Sequence, residues 1–572
     1  MNARWQLAQP SSEIVSALVD ELRLSPLFAR CLANRGCSTP EKATEYLAPK
    51  LAGLSDPFLL PNMERAVERL LQAHERREPF VIFGDYDVDG VTATALLTEF
   101  FRALGWQCSH YLPHRLEEGY GLSQDGVENC LEKYRVKLLL AVDCGSTAVE
   151  VIQNVSGRGV DVLVLDHHQV CSPAPSALAL VNPQLLEAGS SVAHLKNLCS
   201  AGLAFKLAHA VLKRCRTLGW PEAQAHDLKQ YLDLVALGTI ADLVPLQGEN
   251  RILTRAGLER LAQTNRVGLK ALKNVAGVNG AVTCHQVGFQ LGPRLNAAGR
   301  LETALDALDL LLTSDSARAE SLAGALDAQN RERQSIEKKI ADEVISAVRA
   351  RFNPDADFAI VEGNATWHLG VVGIVASRVV REFHRPVLIL GSDGSETWRG
   401  SGRSIEGFDF AASLGQCSDL LMKHGGHAMA AGVTMAASKV SDLKARFNEL
   451  ARTTLSAEAL QPTLRLDAEI LLADLSFAVL KSLESIQPVG LGNPPVQFAA
   501  RNLRCTSSQR VGSDKKHLRF MVTDGTATHQ ALWWNCELPE LPAAFDLAFA
   551  PELSEYNGTL GIQLRVLDLK PA

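Results

Sequence analysis

The chain has no C-x-x-C pair. Its twelve cysteines are scattered singly from Cys31 to Cys536, which excludes a zinc ribbon, gives no disulfide framework and predicts a reducing, cytoplasmic setting. It has no run of about eighteen uninterrupted apolar residues, the length a membrane span needs, and the opening MNARWQLAQPSSE shows no signal-peptide core. No membrane partner is expected. Internal repeats and low-complexity tracts are missing too, and so is any basic excess: 57 Lys and Arg against 64 Asp and Glu leave a net charge of -7, with a pI near 6.1. That sign excludes a protein that coats duplex DNA by neutralising phosphates, although a narrow groove needs only a local basic cluster. Apolar residues are plentiful, and 47% of 572 residues suffices for several domains with separate cores.

The segment FVIFGDYDVDGVT, residues 80–92, places Asp85, Asp87 and Asp89 in one turn between an apolar run and a helix expected over Val91 to Leu104. Ionised carboxylates this close repel one another unless a multivalent cation compensates them. A calcium loop would carry a bidentate Glu at its twelfth position, which here is Leu96. The bland alternative is a polar turn whose Asp side chains cap the helix.

Two more short apolar runs end in polar clusters, RVKLLLAVDCGST at Asp143 and VDVLVLDHHQV at Asp166, His167 and His168. Runs of Val, Leu and Ile separated by helix-length segments predict βαβ units with a buried parallel sheet, where ligands gather at the carboxyl ends of strands. Asp85, Asp87, Asp143, His167 and His168 are therefore expected to converge. YLDLVALGTIADLVPL adds Asp242 at the end of a helical stretch. Carboxylates with imidazole and no thiolate suit manganese, iron or zinc, and carboxylates alone suit magnesium or calcium. So many donors exceed one octahedral ion, and two ions sharing an Asp fit better.

DYDVDG, VDCGS, LDHH and GTIADLVPL, in this order, resemble the four motifs of the DHH phosphoesterase family, and within it the branch of single-strand-specific exonucleases. The resemblance covers nearly the whole chain. It implies two Mn2+ or Mg2+ ions, with Asp85 on one, Asp87 and Asp242 on the other, Asp143 shared between them and His167 as a ligand. His168 would ligate or give a proton, Asp166 would orient a histidine ring, and Asp89 would organise the loop; these three form the expected catalytic set. The chain departs from the family at Val81 and Phe83, where relatives carry histidines, so the first ion would lean on His167, His168 or water.

Five segments are expected. Residues 1–60 form a helical extension; 61–255 a parallel-sheet α/β DHH domain; 256–352 a helical connector ending in a long charged helix; 353–455 a second α/β, DHH-associated domain; and 462–572 a five-stranded OB-like β-barrel. In the connector GFQLGPRLNAAGRL reads as a glycine-relaxed loop carrying Arg294, Asn296 and Arg300. In the second α/β domain Gly370 and Gly373 precede a helix, and GSGRSIEGFDF and KHGGHAMAAGVTM resemble the loops by which Ser401, Arg403, Gly425, Gly426 and His427 would grip substrate across a cleft from the metal site. In the barrel Phe520, Trp533, Trp534 and Tyr556 are candidates for stacking on bases, and Arg510, Lys515, Lys516 and Arg519 for phosphate contacts. Strand alternation predicts that one of Trp533 and Trp534 binds while the other packs.

The resemblance implies hydrolysis of single-stranded DNA from a 5′ end to mononucleotides, in DNA repair and recombination. The terminal phosphate would meet Arg115, Arg294, Ser401 and Arg403. Single-strand-binding protein and a helicase are the expected partners of a monomer. The alternatives are a phosphodiesterase for short oligonucleotides or cyclic dinucleotides, against which the C-terminal barrel argues, and a non-catalytic replication scaffold, against which the retained acids argue.

Overall fold

The computed structural model describes residues 3–572 apart from 115, 116, 120, 302, 393, 395, 557 and 558. The chain divides into two compact units, one comprising 1–43, 331–485 and 496–572, the other 44–330 and 486–495.

The N-terminal segment holds the helices Ser12–Leu22, Pro26–Ala33 and Pro40–Leu47 and, outside the expected helical pattern, one strand. Its first element is a strand, β1 (Arg4–Leu7), paired in parallel with residues 463–466. Four residues are too short for alternation to announce a strand. Arg35 closes a buried ion pair with Asp467 at 2.7 Å, and Asn34 donates to the same carboxylate at 3.1 Å. These bonds fasten residues 1–43 to their own unit.

The unit built on 44–330 contains a five-stranded, all-parallel sheet of order β3-β2-β4-β5-β6, made of β2 (Phe80–Phe83), β3 (Cys108–Tyr111), β4 (Leu138–Val142), β5 (Asp161–Leu165) and β6 (Ala179–Val181). Apolar side chains fill both faces. Val81, Phe83, Leu139, Ala141, Val162 and Val164 enter one core, and Phe80, Ile82, Leu138, Leu140, Leu163 and Leu165 the other. That two-sided burial is why the strands read as continuous runs rather than alternating ones. The chain goes from β2 out to β3 and returns to β4 on the other side of β2, a switch point that leaves an opening at the carboxyl ends of β2 and β4.

Residues 256–330 are not a separate connector. Leu269, Leu272, Leu295, Leu308 and Leu326 belong to the larger of these two cores, and the unit boundary falls inside the long helix Ser316–Arg349. GPRLNAAGR is a helix, Gly292–Leu301, entered through a π-helical turn, Val287–Leu291, and not a loop. Burial of Leu295, Ala297 and Ala298 holds it helical despite its glycines.

In the other unit β7 (Ile360–Gly363), β8 (Val387–Ser392), β9 (Thr397–Arg403), β10 (Lys423–His427) and β11 (Ala430–Ala436) form a mixed sheet of order β10-β11-β9-β8-β7. β12 (Thr463–Leu466) and β13 (Ala468–Glu469) lead to the barrel strands β14 (Phe498–Val511), β15 (His517–Thr523), β16 (Thr528–Trp533), β17 (Phe545–Tyr556) and β18 (Thr559–Pro571). β17 pairs back onto β14, so the order β14-β15-β16-β18-β17 closes a five-stranded barrel of OB type.

Candidate metal centre and substrate-contacting residues

The ends of β2, β4 and β5 and the end of the helix Leu232–Ala241 bring six acids and two histidines together. Asp87 caps the helix Val88–Ala103, accepting from the backbone N–H of Asp89 at 2.9 Å and of Gly90 at 3.1 Å. The turn is thus both a cap and part of the acid cluster. Asp85, Asp87 and Asp143 each present a ligand atom within 4.8 Å of the others; so do Asp143, His167 and His168, and so do Asp89, His167 and Asp242. His167 Nε2 lies 3.5 Å from Asp143 Oδ1 and 3.5 Å from Asp242 Oδ2. Asp143 has φ of +65°, a left-handed conformation that is uncommon outside glycine and that recurs at functional sites.

Asp166 has another task. Its Oδ1 accepts from the backbone N–H of His167 at 2.8 Å and is 2.8 Å from His168 Nδ1, and its Oδ2 accepts from the N–H of Ser146 at 3.0 Å. Asn182, after β6, donates to Ser146 Oγ at 2.7 Å and to the His168 carbonyl at 2.8 Å, while Gln184 donates to the His167 carbonyl at 3.2 Å. His168 is therefore held by backbone and side chain, and His167 by its backbone N–H and carbonyl. Asp89 accepts the N–H groups of Ser200 at 2.6 Å and Ala201 at 2.8 Å, at the start of the helix Ser200–Thr217. Asn182, Gln184 and Ser200 carry no motif of their own, and only the fold brings them here, whereas Ser146 closes the VDCGS motif.

Burial, reinforced by Asp89, Asp87, Asp85 and Asp242, holds Asp143 well above the carboxylate range. Burial and the same neighbours Asp89 and Asp87 push Asp242 up to about 9 and, with Asp87 alone, Asp89 to about 6. Burial and the facing His168 lower His167 to about 4, leaving a neutral imidazole with a lone pair. Burial alone would lower His168, but its hydrogen bond to Asp166 raises it to about 9. Burial would likewise raise Asp166, yet the His168 bond, His168's charge and the Ser146 N–H hold it far below its usual range.

The donor set fits divalent cations. His167 Nε2 and Asp242 Oδ2 are buried without a hydrogen-bond partner, a costly arrangement that a coordinated ion would relieve. Among the described residues the three groups consist of carboxylate and imidazole with no thiolate in any of them; the mixed groups suit Mn2+, and the all-carboxylate group Asp85, Asp87 and Asp143 suits Mn2+ or Mg2+. Val81 and Phe83 are fully buried in the sheet core, so β2 offers no imidazole.

The other expected substrate residues fall into three classes. In the mixed sheet the register sets Arg403 opposite Ala430 and Ala430 opposite His427; Gly402, Ala431 and Gly426 likewise; and Ser401, Gly432 and Gly425 likewise. Ser401, Arg403 and the Gly-Gly-His strand thus lie side by side across three strands. Arg403 donates to Ser401 Oγ at 3.0 Å, burial lowers its pKa, and no ion pair involves it among the described residues. Arg294 and Asn296 have partners within the chain: Arg294 pairs with Asp327 at 2.9 Å and donates to the Gln290 carbonyl at 2.6 Å, and Asn296 accepts from Val88 N–H at 3.1 Å. The helix that carries them packs against the acid-bearing turn. Arg115 lies outside the described residues, as do the side chains of Arg300 and Tyr556.

The family models match in the order of the domains: the DHH family N-terminal domain over residues 79–239, the DHHA1 domain over 355–453 and the RecJ OB domain over 466–568. The single-stranded-DNA-specific exonuclease RecJ of Bacillus subtilis is 37% identical over 571 residues, 99% of this chain and 70% of that protein. The chain belongs to the RecJ family. Crystal structures of Thermus thermophilus RecJ match its fold. The complex with Mn2+ superposes with a TM-score of 0.85 at 31% identity, covering 100% of this chain and 80% of that one; the complex with Mg2+ gives 0.79 at 30%, covering 100% and 79%.

In the RecJ OB domain the aromatic candidates separate. Phe520 is 1% exposed and packs edge-on against Phe545 at 6.2 Å; it points into the barrel and offers no face to a base, contrary to expectation. Trp533 is half-buried on β16, whereas Trp534, in the turn that follows, is 53% exposed and touches His517 edge-on at 4.6 Å. Arg510 donates to the carbonyls of Cys536 and Leu538, which withdraws it from phosphate. Lys516 pairs with Asp514 at 3.0 Å and Arg519 donates to Gln509 at 2.8 Å, both near the surface.

Proposed function

We propose that this chain hydrolyses single-stranded DNA from the 5′ end, releasing mononucleotides, at a centre that takes two divalent cations, Mn2+ or Mg2+. The observation that carries the reading is the convergence of Asp85, Asp87, Asp143, His167, His168 and Asp242 at one end of the parallel sheet. Membership of the RecJ family and the closed C-terminal barrel support it. A phosphodiesterase for short oligonucleotides would have no need of the barrel.

In this reading Asp85 would hold one ion, Asp87 and Asp242 the other, and Asp143 would serve both, with His167 as a further ligand. When bound, the pair of ions would supply a nucleophile at neutral pH and neutralise the developing phosphorane charge. His167, neutral across the physiological range, gives its lone pair without competition from a proton. Asp166 fixes the ring of His168 at Nδ1, so that a proton held at Nε2 is available to the departing alkoxide. Asp89 anchors the helix Ser200–Thr217 and acts through position, not contact with substrate. Ser401 and Arg403, with Gly425, Gly426 and His427, present a backbone-lined, cationic surface suited to a phosphate. Trp534 offers a face for a base.

The reading extends to a cytoplasmic monomer serving DNA repair and recombination on strands that a helicase unwinds and single-strand-binding protein covers, since a strand-specific enzyme depends on unpaired substrate. Among the described residues no helix is long and apolar enough to cross a membrane. Single-stranded DNA labelled at either terminus in turn tests it, with Mn2+, Mg2+ or a chelator. A 5′ label should appear at once as mononucleotide and a 3′ label only as the strand is consumed. Early release of the 3′ label, equal rates on blunt duplex, or turnover in chelator would overturn the proposal.

A further inference from the structure

Asp143 belongs to two of the three donor groups, one with His167 and His168 and one with Asp85 and Asp87. A carboxylate shared in this way has little freedom, because any other rotamer withdraws it from one group or the other. Among the described residues one hydrogen bond reaches that carboxylate: Ser200 Oγ donates to Asp143 Oδ1 at 2.8 Å, and both side chains are buried. Ser200 is the first residue of the helix Ser200–Thr217. Its own N–H and that of Ala201 bind the two oxygens of Asp89, and Asp89 lies in the first turn of the helix Val88–Ala103. The hydroxyl is therefore placed by two backbone bonds that do not depend on the serine side chain.

We propose that Ser200 is a positioning residue of the metal centre, its hydroxyl fixing Asp143 in the one orientation that serves both ion positions. The inference rests on the two-ion reading above and names a residue outside the family motifs. It separates two tasks at one helix start: the backbone N–H groups hold Asp89, and the hydroxyl holds Asp143. Removing the hydroxyl should leave the helix anchored and loosen both ions together, because the carboxylate they share is what moves.

The test is Mn2+ binding to the full-length, metal-stripped chain, read by titration calorimetry and by the Mn2+ electron paramagnetic resonance signal. Ser200→Ala keeps both N–H bonds to Asp89. It is expected to bind two ions, each about 10–100-fold more weakly, the range typical of losing a partner that orients a metal ligand. Excess Mn2+ should restore kcat, KM for DNA should stay put, and the melting temperature of the metal-free chain should barely move. Ser200→Cys, close in volume but a poor donor, should follow the alanine variant. Wild-type affinity in either variant, weakening of one ion alone, or a loss of kcat that metal does not restore would overturn the role of Ser200. A wild-type chain that takes up no Mn2+ would instead overturn the metal-centre reading, and this inference with it.

Discussion

At the ends of β2, β4 and β5, three buried acids are fixed by neighbours: Asp166 by Ser146 and both histidines, Asp89 by a helix start, Asp143 by Ser200. In the barrel, the indole proposed to meet a strand, Trp534, is exposed, and it touches the edge of His517. The first region concentrates acids where water cannot relieve their charge, so without a counter-cation Asp143 and Asp242 hold protons instead. The second keeps its charges in solvent, where each is worth little alone. The region proposed to hold ions is built from interlocked partners; the surface proposed to meet a strand is not.

That contrast predicts unequal effects. Asp143→Ala should lower turnover by more than about 10³-fold while leaving single-strand binding intact, measured by nucleotide release and by fluorescence anisotropy. Appreciable residual turnover would show that the shared carboxylate is dispensable. Next come the two barrel aromatics, which should part company. Phe520→Ala is expected to cost about 3–5 kcal/mol of stability by opening the barrel core, seen as a lower denaturation midpoint. Trp534→Ala should leave that midpoint alone and weaken binding by about 1–3 kcal/mol. If Phe520→Ala weakened binding without loss of stability, the assignment of inner and outer rings would be reversed.

The smallest effect is a trend with pH. In the metal-free fold Asp242 keeps its proton up to about 9, against an ordinary 3.8, so between those values the folded chain binds more protons than the unfolded one. Its contribution to metal-free stability is full below the lower value and is lost as pH rises through the upper. A bound cation takes the proton's place. The rise in melting temperature caused by saturating Mn2+ should therefore grow from about pH 5 to about pH 8; a flat or shrinking rise would contradict the assignment of Asp242.

Much of this organisation is readable in the sequence because strands buried on both faces leave continuous apolar runs, and the acids follow those runs directly. The barrel strands announce themselves by alternation between turn residues. What escaped has identifiable causes. β1 is too short to show a period, and its partner lies more than 450 residues away. The helix Gly292–Leu301 contradicts its own glycines because tertiary burial outweighs local propensity. The inward face of Phe520 depends on register, which a single slip would invert. Ser200 was illegible for a different reason: a serine at a helix start is commonplace, and only the return of β4 beside it gives its hydroxyl a carboxylate to hold.

The three-strand register around Gly402, Gly425 and Gly426 also provides a handle for redesign. An added Cβ on Gly402 would strike the ring of Phe410 at 2.1 Å, and one on Gly426, whose φ is +143°, would meet the Ala430 carbonyl at 2.5 Å, whereas Gly425 faces open space. Gly425 is thus the one of the three where volume can be dialled in stepwise, alanine then serine then valine, without unseating the sheet, and so the one where the proposed contact with a nucleotide can be probed by size alone.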